Sequence, residues 1–156
     1  MKKRRLRKSE TKELSNKLNQ LYAVSFDKKE ELEEVIIGNT KVILKGKEPF
    51  FFFYNETPVP TLKKCMEDHN LLKKIVVDMG AVKFVTSGAD IMRPGITEVD
   101  ESIQENEFVM VIDENNKKPL AITKALCSGH KIKEMQKGKV LENLHYVGDE
   151  IWNAEK

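Results

Sequence analysis

Several residue types that carry chemistry are scarce in this sequence of 156 residues. It has two cysteines, Cys65 and Cys127, and three histidines. Two cysteines are too few for the disulfide framework of a small secreted domain, so we expect both thiols to be reduced and structural. Cys65 and His69 could face the same way on a helix, but a zinc site needs about four ligands and no second pair lies nearby. We therefore expect neither a metal nor a cofactor.

Long apolar runs and catalytic arrangements are also absent from the sequence. No run reaches the length of about 20 residues that a membrane helix needs, and the basic start leads into polar residues rather than a signal peptide. No nucleophile with its base, phosphate-binding loop or pair of catalytic carboxylates is recognisable. These absences predict a cytoplasmic protein that is not an enzyme and does not contact a membrane. The hydrophobic fraction of 40% and the charged fraction of 33% are typical of a globular chain.

The net charge of +2 is unevenly distributed along the chain. Residues 1–13 carry a charge of +5, residues 14–73 are neutral and residues 74–156 carry −3. Residues 1–8 form a basic arm that could neutralise phosphates and give salt-dependent affinity for a nucleic acid. We predict auxiliary phosphate contacts for its basic residues, namely Lys2, Lys3, Arg4, Arg5 and Arg7. A solvated tail without a ligand is the alternative, and the sequence leaves both open.

The pattern of residues 9–73 predicts a small α/β unit. Ser9 is a candidate N-cap of a helix that runs to about Val24, and three short strands follow as an antiparallel meander over residues 32–37, 40–44 and 50–54. Phe50–Phe53 would face both sides of the last strand, which favours burial on both faces over a platform for stacked bases. The prolines at 58 and 60 then predict a break, and Thr61 a cap for a second helix.

Residues 74–156 predict a second unit with many short strands and little helix. Ile75–Val77 indicates a strand, a short helical pattern over residues 81–85 ends near Gly88, and residues 108–112 and 120–125 flank a turn as a hairpin. Ser128 is a candidate cap for a last helix before a final strand. This pattern favours a compact, barrel-like fold of mostly antiparallel strands. The whole chain is therefore predicted to be of the α+β class.

The start of the second unit resembles a PUA domain, the RNA-binding module named for pseudouridine synthases and archaeosine transglycosylases. The resemblance lies in Val77–Val85 and Ser87–Ile96. These segments contain two pairs of small residues, Gly80-Ala81 and Gly88-Ala89, followed by Pro94-Gly95 at a spacing far more specific than a lone glycine pair. A PUA pseudo-barrel is therefore expected for residues 74–156.

A wider resemblance is to the malignant T-cell-amplified sequence protein family. It rests on Glu142–Trp152 and on Phe51–Phe53 leading to Pro60–Leu62, and it covers roughly residues 32–152, while the first thirty residues match poorly. Members of this family pair a pre-PUA domain with a PUA domain and act in translation initiation or ribosome recycling. The family includes shorter archaeal proteins, and we expect this chain to be one of them. The resemblance implies a pre-PUA domain over residues 9–73.

The resemblance also implies where RNA would bind. Family members hold a helical RNA stem and its 3′ end with the loop between a helix and a strand and with the edge of the C-terminal strand. Glycine and alanine in such a loop let backbone amides approach ribose and phosphate closely. The predicted RNA-binding residues are Lys83, Ser87, Gly88, Ala89, Asp90, Met92, Arg93, Pro94, Gly95 and Tyr146.

Two of these residues, Lys83 and Arg93, are the natural phosphate partners. Because residues 74–156 are net acidic, either these two cluster with Lys124 and Lys131 on one face or the basic arm supplies the charge. Tyr146 could stack on a base or fill one end of the barrel.

The expected function is recognition of structured RNA, a tRNA or ribosomal RNA stem with its 3′ end, by shape rather than by sequence. The expected partners are this RNA and either the small ribosomal subunit or a translation-factor protein. Two other functions remain open at this point. One is an accessory role in a pseudouridine or archaeosine modification system, although the chain is too short for the catalytic domains of those enzymes. The other is a protein-interaction module that uses Phe50–Phe53 or the first helix.

Overall fold

The computed structural model describes residues 2–154, which fold around two sheets. The first sheet has the strand order β1-β2-β3-β4-β5. Its strands and the two helices of this half are β1 (Lys3–Arg5), α1 (Lys8–Tyr22), β2 (Leu32–Ile37), β3 (Thr40–Lys45), β4 (Glu48–Tyr54), β5 (Thr57–Pro60) and α2 (Leu62–Glu67). We call this half the N-terminal unit.

The second sheet has the strand order β7-β11-β10-β9-β6-β8. Its elements are β6 (Lys73–Val77), α3 (Val82–Val85), β7 (Ile91–Met92), β8 (Ile96–Val99), β9 (Phe108–Asp113), β10 (Pro119–Ala125), α4 (Gly129–Glu134) and β11 (Lys139–Tyr146). Short 3-10 turns at Met79–Ala81 and Arg93–Gly95 precede α3 and β8. Only the pair of β6 and β9 is parallel among the strand pairs of the described residues. The predicted α+β class and the mostly antiparallel C-terminal sheet are confirmed.

The start of the chain is part of the first sheet. Lys3–Arg5 pairs antiparallel with β2, and the backbone N–H of Leu6 donates to the carbonyl of Leu32 at 2.9 Å. The alternative of a solvated tail is therefore wrong for these residues. The guanidinium of Arg4 lies 2.9 Å from Glu10 and 3.3 Å from Glu34, so carboxylates of α1 and β2 hold the strand in place.

The first helix begins earlier than predicted and ends close to the predicted position. Arg7, rather than Ser9, precedes the first helical residue, and its backbone N–H donates to the carboxylate of Glu10 at 2.8 Å. The Glu10 carboxylate in the first turn thus holds the backbone of the residue before the helix, and Ser9 is a residue within the helix rather than its N-cap. The helix ends at Tyr22, followed by Ala23 with a φ of +57°.

The meander of β2, β3 and β4 has the predicted order, but it continues into β5. The predicted break at Pro58 and Pro60 is wrong, because both residues lie in β5, which pairs with β4. This strand is the last of its sheet, and a sheet tolerates proline at an edge, where the missing N–H would point to solvent. Thr61 follows and caps α2 as predicted, with its hydroxyl accepting the N–H of Lys64 at 3.2 Å.

The phenylalanine run of β4 is buried on both faces of the sheet, as predicted. Phe50 and Phe51 pack under α1 with a cluster that includes Leu18, whereas Phe52 packs on the opposite face. The exposed fractions of these three rings are 6% or less, which leaves them no surface for stacking a base. The alternative of a base-stacking platform therefore fails for Phe50–Phe52.

The two sheets share one hydrophobic core. Phe52, Val59 and Leu62 from the N-terminal unit pack in the same cluster as Met110 and Ile122 from the second sheet. The second sheet also has a core of its own, which includes Ile75, Val111 and Leu141. The predicted boundary between residues 73 and 74 falls inside β6, which begins at Lys73. This boundary stays a prediction, and the segments on its two sides pack extensively against each other.

The two thiols are free, with Cys65 buried and Cys127 half-buried. Burial raises the pKa of the Cys65 thiol to about 12, which makes it a packing residue rather than a nucleophile. His69 is exposed. Between residues 2 and 154 the structure has no helix that is long and apolar enough to cross a membrane.

Candidate nucleic-acid interface

A cleft of about 500 Å³ opens on the C-terminal sheet between the α3 region and the β7 region. We call it the α3–β7 groove. Its lining residues are Asp78, Gly80, Ala81, Phe84, Val85, Ala89, Asp90, Ile91, Met92, Pro94 and Gly95. Five of the predicted RNA-binding residues are among them, namely Ala89, Asp90, Met92, Pro94 and Gly95. The structure thus brings these five residues together in one groove with residues of the α3 region.

The walls of the groove are apolar and open to solvent. Phe84 is 59% exposed and Met92 is 50% exposed, which is unusual for side chains of this size. A Cβ added at Gly95 would lie 3.2 Å from the Cβ of Ala81, so small residues let the two sides approach closely. Such a slot accepts a flat apolar group between its walls.

A carboxylate lies at each side of the groove, and no lysine or arginine lines it among the described residues. Asp78 accepts the N–H of Ala81 at 2.9 Å. Asp90 accepts the N–H of Asn143 at 2.8 Å and lies 3.1 Å from the ammonium of Lys139. Burial alone would raise the pKa of Asp90, but these hydrogen bonds lower it, so the group is anionic. Two carboxylates in the lining make the groove unfavourable for a phosphate group.

The loop between α3 and β7 is held by residues of β11. Gly88 has a φ of +95°, and a Cβ there would lie 2.9 Å from the ring of Tyr146. Tyr146 is half-buried and packs against the core of the second sheet, so its ring covers the loop. Ser87 donates its hydroxyl to the carbonyl of Lys83 at 2.6 Å. The predicted glycine is thus required by both its backbone conformation and its neighbour.

Asn143 is a supporting residue that the sequence did not reveal. Its side-chain amide donates to the carbonyls of Val85 and Ala89, at 3.0 and 2.9 Å, on either side of the loop. The contact joins residues more than fifty positions apart, and no local pattern signals it.

The two predicted phosphate partners have different surroundings. Arg93 donates from Nε to the carbonyl of Ile132 at 2.7 Å and from one terminal nitrogen to the carbonyl of Ile96 at 3.1 Å. Its side chain therefore fixes the end of α4 against the start of β8. Lys83 is exposed, and its ammonium lies 5.2 Å from the centre of the Phe84 ring. Of the two, Lys83 has the freer charge at the groove.

Two further lysines, missed in the sequence, lie beside the groove. Lys139 is paired with Met92 between β11 and β7, and the backbone N–H of Arg93 donates to the carbonyl of Gly138 at 2.8 Å. The segment from Lys137 to Lys139 therefore runs along the edge of the groove with both lysines exposed. Their position depends on the pairing of β7 with β11, which only the tertiary structure reveals.

The remaining predicted cations lie elsewhere. The ammonium of Lys124 is 5.5 Å from the Tyr54 ring of the N-terminal unit, and Lys131 is exposed on α4. In the basic arm, Arg4 and Arg7 pair with Glu10, and Arg5 pairs with Glu31. Lys2 and Lys3 are exposed. None of the arm residues lines the groove, so the arm as a phosphate contact stays a prediction.

Comparison with known families divides the chain into two matched regions. Residues 73–147 match the PUA domain, and residues 2–67 match a domain of unknown function. The second match begins at residue 2, so the expectation that the first thirty residues lack family support is wrong. The strand pairing of β1 explains this, since the arm is an integral part of the N-terminal sheet.

Similar proteins span nearly the whole chain. An uncharacterized protein of Methanocaldococcus jannaschii is 48% identical over 129 residues, which cover 81% of this chain and 78% of that protein. Translation machinery-associated protein 20 of Eremothecium gossypii is 36% identical, with 94% of this chain and 84% of that protein covered.

A solved structure shares the same architecture. The crystal structure of a hypothetical protein from the archaeon Pyrococcus horikoshii has a TM-score of 0.82 and 32% identity, and the match covers 99% of this chain and 100% of that one. Together with the PUA match, these similarities establish the PUA domain and the two-unit architecture that the sequence predicted. The chain belongs to the family that includes translation machinery-associated protein 20 and the malignant T-cell-amplified sequence proteins, as its motifs indicated.

Proposed function

We propose that this protein binds a structured RNA, a tRNA or ribosomal RNA stem with an unpaired 3′ end, during translation initiation or another step on the ribosome. The observation that carries the proposal is the α3–β7 groove, with exposed apolar walls, a carboxylate at each side and lysines outside it. A base has apolar faces and polar edges, and it fits such a slot when it is not paired.

The stem of the RNA would lie outside the groove, where Lys83, Lys137 and Lys139 are exposed. The small residues of the loop around Gly88 allow close approach of the RNA backbone, which is recognition by shape. The unpaired 3′ nucleotides would then enter between Phe84 and Met92. In this arrangement Arg93 acts mainly by holding α4, and Tyr146 by covering Gly88.

The charge balance sets how strongly the RNA is attracted. Residues 74–156 carry −3, so the lysines at the groove act as a few local contacts rather than a broad positive surface. Lys2 and Lys3 of the arm are exposed cations that would add phosphate contacts where the RNA extends over the N-terminal unit. The small ribosomal subunit, or a translation-factor protein bound to it, would present the RNA in the cytoplasm.

The groove itself holds no arrangement for catalysis among its described residues. Each of its carboxylates already accepts a backbone N–H, Asp78 from Ala81 and Asp90 from Asn143, and Asp90 also pairs with Lys139. A general acid or base needs a carboxyl group free to reach the substrate proton. Binding without chemistry is therefore the function that this geometry supports.

A titration with three RNAs tests the proposal. The probes are a tRNA transcript, the same transcript without its four unpaired 3′ nucleotides, and a scrambled duplex of equal length, each measured by fluorescence anisotropy at 150 mM salt. We expect the full transcript to bind about tenfold or more tightly than the shortened one, since each stacked base contributes about 1–3 kcal/mol. Equal affinity for all three RNAs would refute the proposal.

A further inference from the structure

A buried polar cluster lies where the two sheets meet. His145, in β11, has an exposed fraction of 0%. Its Nδ1 lies 2.9 and 3.0 Å from the two carboxylate oxygens of Asp149, and its Nε2 accepts the backbone N–H of Leu62 at 3.2 Å. All polar positions of the imidazole ring are thus occupied in the interior of the protein.

These contacts select one form of the ring. Because the N–H of Leu62 donates to Nε2, this nitrogen carries the lone pair, and the neutral imidazole holds its proton on Nδ1, where the carboxylate of Asp149 accepts it. Asp149 is itself fixed, since its oxygens also accept the N–H of Tyr146 at 3.0 Å and of Trp152 at 2.8 Å. Burial would raise the pKa of Asp149, but the contacts with His145 and these amides lower it, so the carboxylate is ionised.

The cluster connects the two units of the protein. Leu62 is the first residue of α2 in the N-terminal unit, and the ring of Phe52 in β4 meets the His145 ring edge-on, with centroids 5.5 Å apart. The shared core is built of apolar side chains, whose contacts are non-directional. One other hydrogen bond, from the Tyr54 hydroxyl to the Glu142 carboxylate at 2.9 Å, joins the units at the edge of this core. A hydrogen bond between buried groups has a fixed geometry, and it penalises any sliding of one unit over the other.

The cluster also reaches the groove. Tyr146 follows His145 in the chain, its N–H is held by Asp149, and its ring lies over Gly88. A short path of contacts therefore leads from α2 through His145 and Tyr146 to the loop that borders the α3–β7 groove.

We propose that His145 is a positioning residue that fixes the orientation of the N-terminal unit relative to the α3–β7 groove, with Asp149 holding its ring in the form that accepts the Leu62 N–H. The structural part of this inference stands on the contacts alone. Its consequence for RNA rests on the proposed function, because an RNA that contacts both units requires them in one fixed arrangement.

The wild-type protein gives the first test, which needs no RNA. In long-range ¹H–¹⁵N spectra, we expect the His145 ring to show a protonated Nδ1 and an unprotonated Nε2 at neutral pH. The exposed residues His69 and His130 serve as internal references, and the His69→Gln and His130→Gln variants assign the signals. A His145 ring protonated at Nε2 would overturn the inference, whatever RNA the protein binds.

Two amide substitutions separate the two sides of the ring. His145→Gln places an amide near Nε2 and keeps an acceptor for Leu62, whereas His145→Asn places it near Nδ1 and keeps only the bond to Asp149. We expect residual dipolar couplings to report the wild-type orientation of the units in His145→Gln and an altered or averaged orientation in His145→Asn. Identical orientations in both variants would contradict the assigned role.

RNA affinity gives the functional test. We expect His145→Asn to bind the tRNA transcript about fivefold more weakly than His145→Gln, the effect of about one hydrogen bond. Val59→Ala, which shortens a buried side chain of the same core without touching the ring, controls for lost stability. An equal loss of RNA affinity in Val59→Ala would mean that His145 acts only through packing. If no variant and no wild type binds RNA, the proposed function fails, and the orientation data still decide the inference.

Discussion

The two units differ in whether their charged and aromatic side chains have partners within the fold. In the N-terminal unit the arginines of the arm pair with carboxylates, and three of the four phenylalanines of β4 are buried. In the second half of the protein, which contains the second sheet and is called the C-terminal unit, Phe84 and Met92 are exposed beside the groove. Lys137 is exposed one residue before Gly138, whose carbonyl accepts the N–H of Arg93. The unit with the larger positive charge thus has the arginines of its arm engaged in ion pairs, while the acidic unit has exposed apolar side chains without partners in the fold. The capacity to bind a ligand depends on exposed side chains that have no partner within the fold, and the net charge of a unit does not measure their number.

Among the changes that test this contrast, we expect removal of the Phe84 ring to have the largest effect on RNA affinity. We expect Phe84→Ala to weaken binding of the tRNA transcript about tenfold or more, while the free energy of unfolding changes by less than about 0.5 kcal/mol, since the ring is 59% exposed. Phe53→Ala is the matched change in the N-terminal unit, because Lys41 lies over that ring as Lys83 lies over Phe84. Equal losses of affinity in the two variants would break the contrast.

The next effect concerns the loop that Tyr146 covers. Gly88→Ala forces a side chain into a left-handed conformation and toward the Tyr146 ring, so we expect RNA affinity to fall several-fold and stability by about 1–3 kcal/mol. Gly46→Ala is the control, since its φ of +64° is also left-handed but nothing lies within 4 Å of the added Cβ. Urea unfolding and anisotropy measure both quantities. If Gly46→Ala costs as much affinity as Gly88→Ala, the loop contact is irrelevant.

A smaller effect compares the cations of the two units. Replacing Lys137 and Lys139 by Gln should lower affinity a few-fold at 150 mM salt and reduce the slope of log K against log salt by about 1 to 2. Replacing Lys2 and Lys3 by Gln tests the arm in the same titration. An unchanged slope of log K against log salt would show that the arm makes no phosphate contacts. A drop in slope for the arm alone would reverse the roles that we assign to the two units.

The smallest effect concerns acid stability of the N-terminal edge. Hydrogen bonds from the Arg4 guanidinium and, to a smaller extent, from the Arg7 backbone N–H lower the pKa of Glu10 from 4.5 to about 2. A lowered pKa stabilises the fold above pH 4.5, and this contribution disappears as the pH falls toward 2. The Arg4→Gln variant should therefore titrate at higher pH when the Glu10 carboxyl is followed by NMR. Arg5→Gln, which removes the neighbouring pair with Glu31, should leave the Glu10 titration unchanged.

Local patterns in the sequence were sufficient for most of the elements. The caps Thr61 and Ser128, the burial of Phe50–Phe52 and the left-handed Gly88 all follow from neighbours close in the chain. The wrong predictions concern segments whose structure depends on partners distant in the sequence. The arm becomes a strand because β2 offers an edge, and prolines are tolerated in β5 because no strand lies beyond it.

The candidate site was predictable only in part for the same reason. The loop residues around Gly88 and Pro94 carry a local signature, but Lys139 and Asn143 join the site through contacts between residues distant in the sequence. Arg93 shows the converse limit, since its two carbonyl partners in α4 and β8 could not be read from the sequence. A basic residue in a binding loop can therefore stabilise the fold rather than bind a ligand.

The edge position of β1 has a consequence for handling the protein. The strand closes one side of the first sheet, and its exposed surface carries Lys3 and Arg5. Charged side chains on an edge strand oppose pairing with the edge of another molecule. Removal of residues 2–5 would instead uncover β2, whose Ile36 is already 55% exposed, as a new edge. We therefore expect the first residues to oppose self-association through this edge, so a version without them should aggregate at lower concentrations than the full chain.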